Sequence, residues 1–230
     1  MLAYGVAADA IDDYVRIGES TTIESLRRFV AVVVEVFGDE YLRSPNEDDT
    51  ARLLAIGERR CFPGMLGSID CMHWRRKNCP YEWQGMYKGH VHESTIILEA
   101  IVSKDLWIWH AFFGMPGSHK DINVLQQSTL FARLAEGQAL EVNYIINGHD
   151  YTMGYYLIDG IYPSWATFVK TIPEPQGNKK KYFAIVQEAC RKDVERAFGV
   201  LQTCFAIVWG PAHFWDDDTL SLTMRACVTT

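Results

Sequence analysis

The sequence lacks a Cys-x-x-Cys pair anywhere along its 230 residues. Its six cysteines stand apart at 61, 71, 79, 190, 204 and 227. That spacing does not match a secreted disulfide framework, and a chain of this length does not need one, so the thiols are read as reduced and intracellular. No N-terminal stretch joins a basic segment to an apolar run and a small-residue cleavage site, so no secretory signal is read. The apolar run FVAVVVEVF (29–37) contains Glu35 and is far too short for a membrane span. A soluble protein of the cytoplasm or nucleus is the expectation. Also missing are a Walker A loop, a Rossmann glycine pattern, a Gly-x-Ser-x-Gly elbow and any internal repeat. An excess of positive charge is missing too: 22 Lys and Arg face 29 Asp and Glu, for a net charge of −7. Wholesale nucleic-acid binding through a basic surface is therefore not implied, although a local basic patch remains compatible with that total.

Apolar and aromatic residues are abundant, at 48% and 13% of the chain. That is enough for a sizeable core, and the length suits one domain or one domain with a small helical appendage. Residues 6–17 read as a helix and GES (18–20) as a turn. Ser20 or Thr21 is the expected cap of a second helix reaching about Phe37. Its stripe is Ile23, Leu26, Phe29, Val30, Val33 and Val36 or Phe37, at helical spacing. Helix, turn, helix outlines either a helix-turn-helix or a plain helical hairpin. An acidic connector (38–50) and a short helix (50–60) follow.

The character then changes. MLGSIDCMHW (65–74) reads as a strand, STIILEAIVS (94–103) as a β-branched strand, and LWIWHAFFG (106–114) as its hairpin partner across Lys104-Asp105. A loop (115–121) and a helix (122–137) come next. A strand ends at Asp159-Gly160, a Pro/Gly/Lys loop spans 173–181, and one long amphipathic helix covers 182–205. Three adjacent strands followed by helical crossovers predict an α/β layer arrangement with a mixed sheet.

Three carboxylates hold informative places: Asp70 inside the first strand, Asp159 at the end of a later one, and Glu195 on the rim of the long helix. Such positions can converge above an open sheet, where ligands gather. Clustered carboxylates repel unless a cation lies between them. Hard oxygen ligands select Mg²⁺ or Mn²⁺ over zinc. Two such ions about 3.5–4 Å apart can activate a water or a 3′-hydroxyl at a phosphodiester. His73, His90, His92, Cys71 and Cys79 do not have a recognisable zinc-ligand spacing. The basic clusters WRRKNCP (74–80) and GNKKK (177–181) lie near the predicted acidic face, as do Arg191, Lys192 and Arg196. Arg75, Arg76, Lys77, Lys179 and Lys180 are the candidate phosphate contacts beside them. Trp74, Trp83, Trp107, Trp109 and Trp165 read as core or as base-stacking platforms.

The blocks GSIDCMHW, LWIWHAFFGMPGSHKDINVL, YYLIDGIYPSWATFVKTIP and RKDVERAFGVLQ, in this order, resemble the PIF/Harbinger superfamily of DNA transposases and their domesticated plant relatives, the transposase-derived nucleases. The resemblance covers residues 60 to 227, and the N-terminal helices resemble the helix-turn-helix that precedes the nuclease in that family. It implies residues 1–50 as a helix-turn-helix-like region and 51–230 as an RNase H-like nuclease domain with a DDE triad. By that resemblance Asp70 is the first Asp and Glu195 the Glu. Asp121 in GSHKD and Asp159 in LIDGIYP each match a family position. The RNase H-like order points to Asp159 as the second Asp, with Asp121 a nearby accessory metal ligand. The resemblance also implies a divalent metal, DNA as substrate, a Myb-like DNA-binding partner protein and a nuclear location, with the cytoplasm as the alternative. The chain departs from the family pattern at Trp209, where relatives more often carry Arg. Relatives continue past Arg225-Ala226-Cys227, so a truncated final helix is expected.

Overall fold

Every residue of the strand Thr95–Val102 is buried, and the sheet is organised around it and its neighbour. A computed structural model of the chain describes residues 1–89, 92–129, 132 and 140–229. β1 (Met65–Arg75), β2 (Thr95–Val102) and β3 (Ile108–Pro116) form an antiparallel run. β-branched side chains favour the pleated backbone, and the tight connection at 103–107 closes the predicted hairpin. Ser103 Oγ accepts a hydrogen bond from the Trp109 indole at 2.9 Å across that turn.

A separate two-stranded ribbon, β4 (Glu141–Ile146) and β5 (His149–Met153), precedes β6 (Tyr155–Ile158) and β7 (Phe168–Lys170). β6 runs parallel to β1, and β7 parallel to β6. The five-stranded sheet therefore has the order β3-β2-β1-β6-β7 and is mixed. The sequence reading contains neither the ribbon nor β7. Asn147 and Gly148 both take positive φ, at 50° and 80°, which is the turn that Asn-Gly favours between two strands.

Helices cover both faces. α1 (Ala8–Val15) leads to α2 (Glu19–Tyr41), and the α2 N-cap is Gly18. Ser20 and Thr21 lie inside the helix rather than capping it. α3 (Glu47–Arg59) starts earlier than expected, because Asn46 and Asp49 form a reciprocal capping box that satisfies two otherwise unpaired amides. A 3-10 turn (Tyr81–Trp83) runs into the single-turn α4 (Gln84–Tyr87). α5 (Asp121–Gln127) replaces the first part of the helix read over 122–137; most of that segment's remainder lies outside the described residues. The long helix read over 182–205 is two helices, α6 (Asn178–Arg191) and α7 (Asp193–Cys204), joined at Lys192. Asp193 follows the junction. It is 1% exposed and bonded to both Arg60 and Arg196, so the first residue of α7 is tied to the end of α3. α8 (Ala206–Trp209) and α9 (Asp217–Val228) complete the chain's helices among the described residues.

Two apolar layers result. On one face Met72, Trp74, Leu98 and Ala100 pack with Val30 of α2, Val194 and Leu201 of α7, and Leu220 and Met224 of α9. On the other, Ile69, Ile101 and Trp109 meet Leu53 of α3, Leu125 of α5, Ile158 and Tyr162. α2 thus belongs to the same core as the sheet. Among the described residues no helix is long and apolar enough to cross a membrane.

Candidate active site

β1 has eleven residues and β6 has four. Ser68 pairs with Leu157, the last recorded partner of the parallel register. Carried two residues further, that register sets Asp159 beside Asp70. β6 has ended by then, so Asp70 is where β1 loses its neighbour on that side. Its other neighbour continues, with Asp70 opposite Ala100. The mismatch in strand length leaves β1 unpaired on that side from Asp70 onward, at the switch in strand direction where open α/β sheets form their ligand cleft.

Alternation along β1 turns Asp70 to the α6–α7 face, with Met72 and Trp74. Asp70 Oδ1 accepts from the Cys71 amide at 2.8 Å, and Oδ2 accepts from Arg191 Nη1 at 3.2 Å. Arg191, the last residue of α6, also donates to Glu195 at 2.7 Å. It grips Glu188 with two bonds, at 3.0 and 2.9 Å. One guanidinium therefore serves three carboxylates. The Arg191 side chain is 10% exposed, against 21% for Asp70 and 43% for Glu195.

The electrostatics follow from that sharing. Burial pushes the Asp70 carboxyl up to about 6. The Cys71 amide and Arg191 oppose this without cancelling it, because Arg191's charge is divided and Asp121 and Glu195 add repulsion. Glu188 takes two of Arg191's hydrogen bonds, and they hold its carboxyl below the usual range. Those same bonds keep Arg191 firmly protonated.

Asp121 starts α5 on the opposite side of the sheet, beside Cys71 and His73. Burial raises its carboxyl, and the nearby charge of Asp159 raises it further. Its charge also reaches Asp70, so it stands between the two strand aspartates electrostatically. Asp159 is exposed and accepts a hydrogen bond from the Gly160 amide. The structure thus joins Asp70 and Glu195 directly through Arg191, while Asp121 feels the charges of Asp70 and Asp159 from the other side of the sheet. Sequence reasoning missed Glu188. Its spacing of three before Arg191 and seven before Glu195 was the available signal, since residues three and four apart share a helix face. It also missed Glu99, fully buried opposite Cys71 with His110 Nε2 at 3.4 Å.

The basic candidates separate into two kinds. Arg75, Lys77, Lys179, Lys180, Lys192 and Arg196 are exposed. Arg75 and Lys77 line a cavity of about 340 Å³ with Lys88 and Glu93. Arg76 is buried, stacked on Tyr87 at 4.7 Å and paired with Asp217 at 2.8 Å; it lines the same cavity, and its Nε and Nη1 have no hydrogen-bond partner among the described residues. Arg191 is likewise buried and paired. Trp74 and Trp109 are core residues, Trp107 stacks on Tyr41, Trp165 stacks on Phe168, and Trp83 is 40% exposed. Among the zinc candidates, His73 contacts Thr95 and Cys71 contacts Tyr162, while His90 lies outside the described residues. Among the described residues no three His, Cys, Asp or Glu side chains are grouped closely enough to hold a metal ion.

The molecule is an α/β protein whose candidate acidic residues lie where a short parallel strand ends beside a longer one. The family described as plant transposon protein matches residues 39–230, most of the chain, and the chain belongs to that family. It is a transposase-related protein. No curated protein and no solved structure matches it.

Proposed function

We propose that the protein is a divalent-metal-dependent DNA endonuclease of the PIF/Harbinger type, built on an RNase H-like fold. The observation that carries this reading is the meeting of Asp70 and Glu195, 125 residues apart, on one cationic group at the point where β6 delivers Asp159. Three antiparallel strands followed by two parallel ones, in the order β3-β2-β1-β6-β7, support the fold assignment. The donor chemistry fits the metal: Asp70, Asp159, Glu195 and Asp121 offer only hard oxygens, which suit Mg²⁺ or Mn²⁺. Such an ion, when bound, supplies an activated water or 3′-hydroxyl and a charge that stabilises the leaving oxygen. Asp70, rigid in the sheet, orients the cleft. Glu195 closes it from α7, and Asp159 guards its open mouth. Lys179, Lys180, Lys192 and Arg196 offer exposed positive charge to the DNA backbone on the helix side, and Arg75 and Lys77 do so beyond the end of β1. In this reading residues 1–50 contact DNA, residues 51–230 form the nuclease unit, a Myb-like protein supplies target recognition and the protein works in the nucleus.

Calorimetry with Mn²⁺ and nicking of duplex DNA test the reading. Wild type is expected to bind the ion and nick, and Asp70→Asn, Asp159→Asn and Glu195→Gln to lose both. Cleavage that survives Asp70→Asn sinks it. A second reading, a catalytically idle DNA- or protein-binding module, is favoured by one observation: Arg191 occupies the middle of the acidic cluster. It predicts binding of DNA or a partner that needs no metal and tolerates Asp159→Asn.

A further inference from the structure

We infer that Arg191 is a positioning residue that serves as the resident counter-ion of the cleft. It holds Asp70 and Glu195 together before a divalent cation arrives and then gives up that place. The inference rests on the metal-dependent reading. Three observations support it. Each of Arg191's three guanidinium nitrogens bonds a carboxylate, and the three carboxylates are Asp70, Glu188 and Glu195. Asp70 comes from the sheet and Glu195 lies four residues after Arg191, so the arginine links a helix-borne carboxylate to β1. Glu188, three residues before Arg191, grips the guanidinium through both Nε and Nη2, whereas Glu195 and Asp70 each take one bond. That local clamp does not depend on the cleft.

A guanidinium and a divalent ion in the same small, half-buried space repel each other strongly. They cannot share Asp70 and Glu195. Because Glu188 keeps its hold, Arg191 has a partner to retreat to when the other two carboxylates are claimed. Its charge then remains paired rather than stranded, which is the condition for moving a buried cation at modest cost. A purely structural arginine would behave otherwise, since removing it would only loosen the site.

The test compares wild type, Arg191→Gln, Arg191→Lys and Asp70→Asn by two measurements: Mn²⁺ affinity by calorimetry without DNA, and melting temperature in EDTA against saturating Mn²⁺. Arg191→Gln is expected to bind Mn²⁺ roughly tenfold or more tightly than wild type, because the competing charge is gone. It should melt lower than wild type in EDTA, and Mn²⁺ should close most of that gap. Arg191→Lys keeps a cation but loses the fork, so its affinity should fall between the two. Should Arg191→Gln fail to fold, Arg191→Lys decides alone: tighter Mn²⁺ binding than wild type supports the inference and equal or weaker binding overturns it. Equal or weaker Mn²⁺ binding by a folded Arg191→Gln, in a series where wild type binds and Asp70→Asn does not, overturns this inference and leaves the nuclease reading standing. Absence of Mn²⁺ binding in both wild type and Arg191→Gln, with and without duplex DNA, removes the nuclease reading and this inference with it.

Discussion

Two charged clusters flank Lys192, and they are mirror images in charge. On one side a single carboxylate, Asp193, is shared by two arginines, Arg60 and Arg196. On the other a single arginine, Arg191, is shared by three carboxylates. The Asp193 side chain is 1% exposed and has more positive charge than it needs. The Arg191 cluster stays short of positive charge even when Lys192, 3.6 Å from Glu188, is counted. The first arrangement is complete and fixes where two helices meet. The second leaves an excess of negative charge. The same pairing chemistry thus builds a joint at one end of a junction and a site at the other, and the charge balance distinguishes them.

Breaking the joint should have the largest effect. Asp193→Ala leaves Arg60 partly buried without its partner, and a loss of about 3–5 kcal/mol is expected in urea unfolding. Breaking the site should do the opposite to stability. Above pH 6 the folded protein must hold Asp70 ionised although burial disfavours it, so Asp70→Asn is expected to leave stability unchanged or raise it by about 1–3 kcal/mol at neutral pH. A large destabilisation by Asp70→Asn would erase the contrast between the clusters.

The sign of the pH dependence sharpens the point. Asp70 titrates near 6 when folded and near 3.8 when unfolded. Between those values the folded state binds more protons, so this group's contribution makes stability fall as pH rises from about 4 to about 6. That component should vanish in Asp70→Asn, as paired urea titrations at pH 4 and pH 7 can show. A divalent ion needs the ionised carboxylate, so Mn²⁺ affinity should drop roughly tenfold from pH 7 to pH 5. A flat profile would mean that Asp70 is not a ligand. The smallest effect is expected outside both clusters. Arg28→Ala breaks an exposed i,i+4 pair with Glu24 and should cost less than about 0.5 kcal/mol in the same unfolding assay.

Much of the fold was legible because its signals are local. A β-branched run announced β2, alternation announced its hairpin partner β3, and an odd carboxylate in an apolar strand marked Asp70 in β1. Other signals were present and unread: Asn147-Gly148 between β4 and β5, and Asn46 with Asp49 before α3. The break at Lys192 was hidden, since the apolar stripe of Cys190, Val194, Ala197 and Leu201 passes through it without a Pro or Gly. Asp193 just after it pairs with Arg60, more than 130 residues earlier, and no local pattern carries that contact.

By itself the sequence determined an α/β chain with a mixed sheet, three strands first and crossovers after, because side-chain periodicity and turn chemistry act over a few residues. It also singled out Asp70, Asp159 and Glu195 as out of place. Only the tertiary structure decided that β6 stops beside the middle of β1, that Asp121 lies across the sheet from Asp70, and that Arg191 stands among the acids. Those outcomes depend on the packing of distant segments, and Coulomb energy between groups brought together only by folding cannot be read from their spacing along the chain.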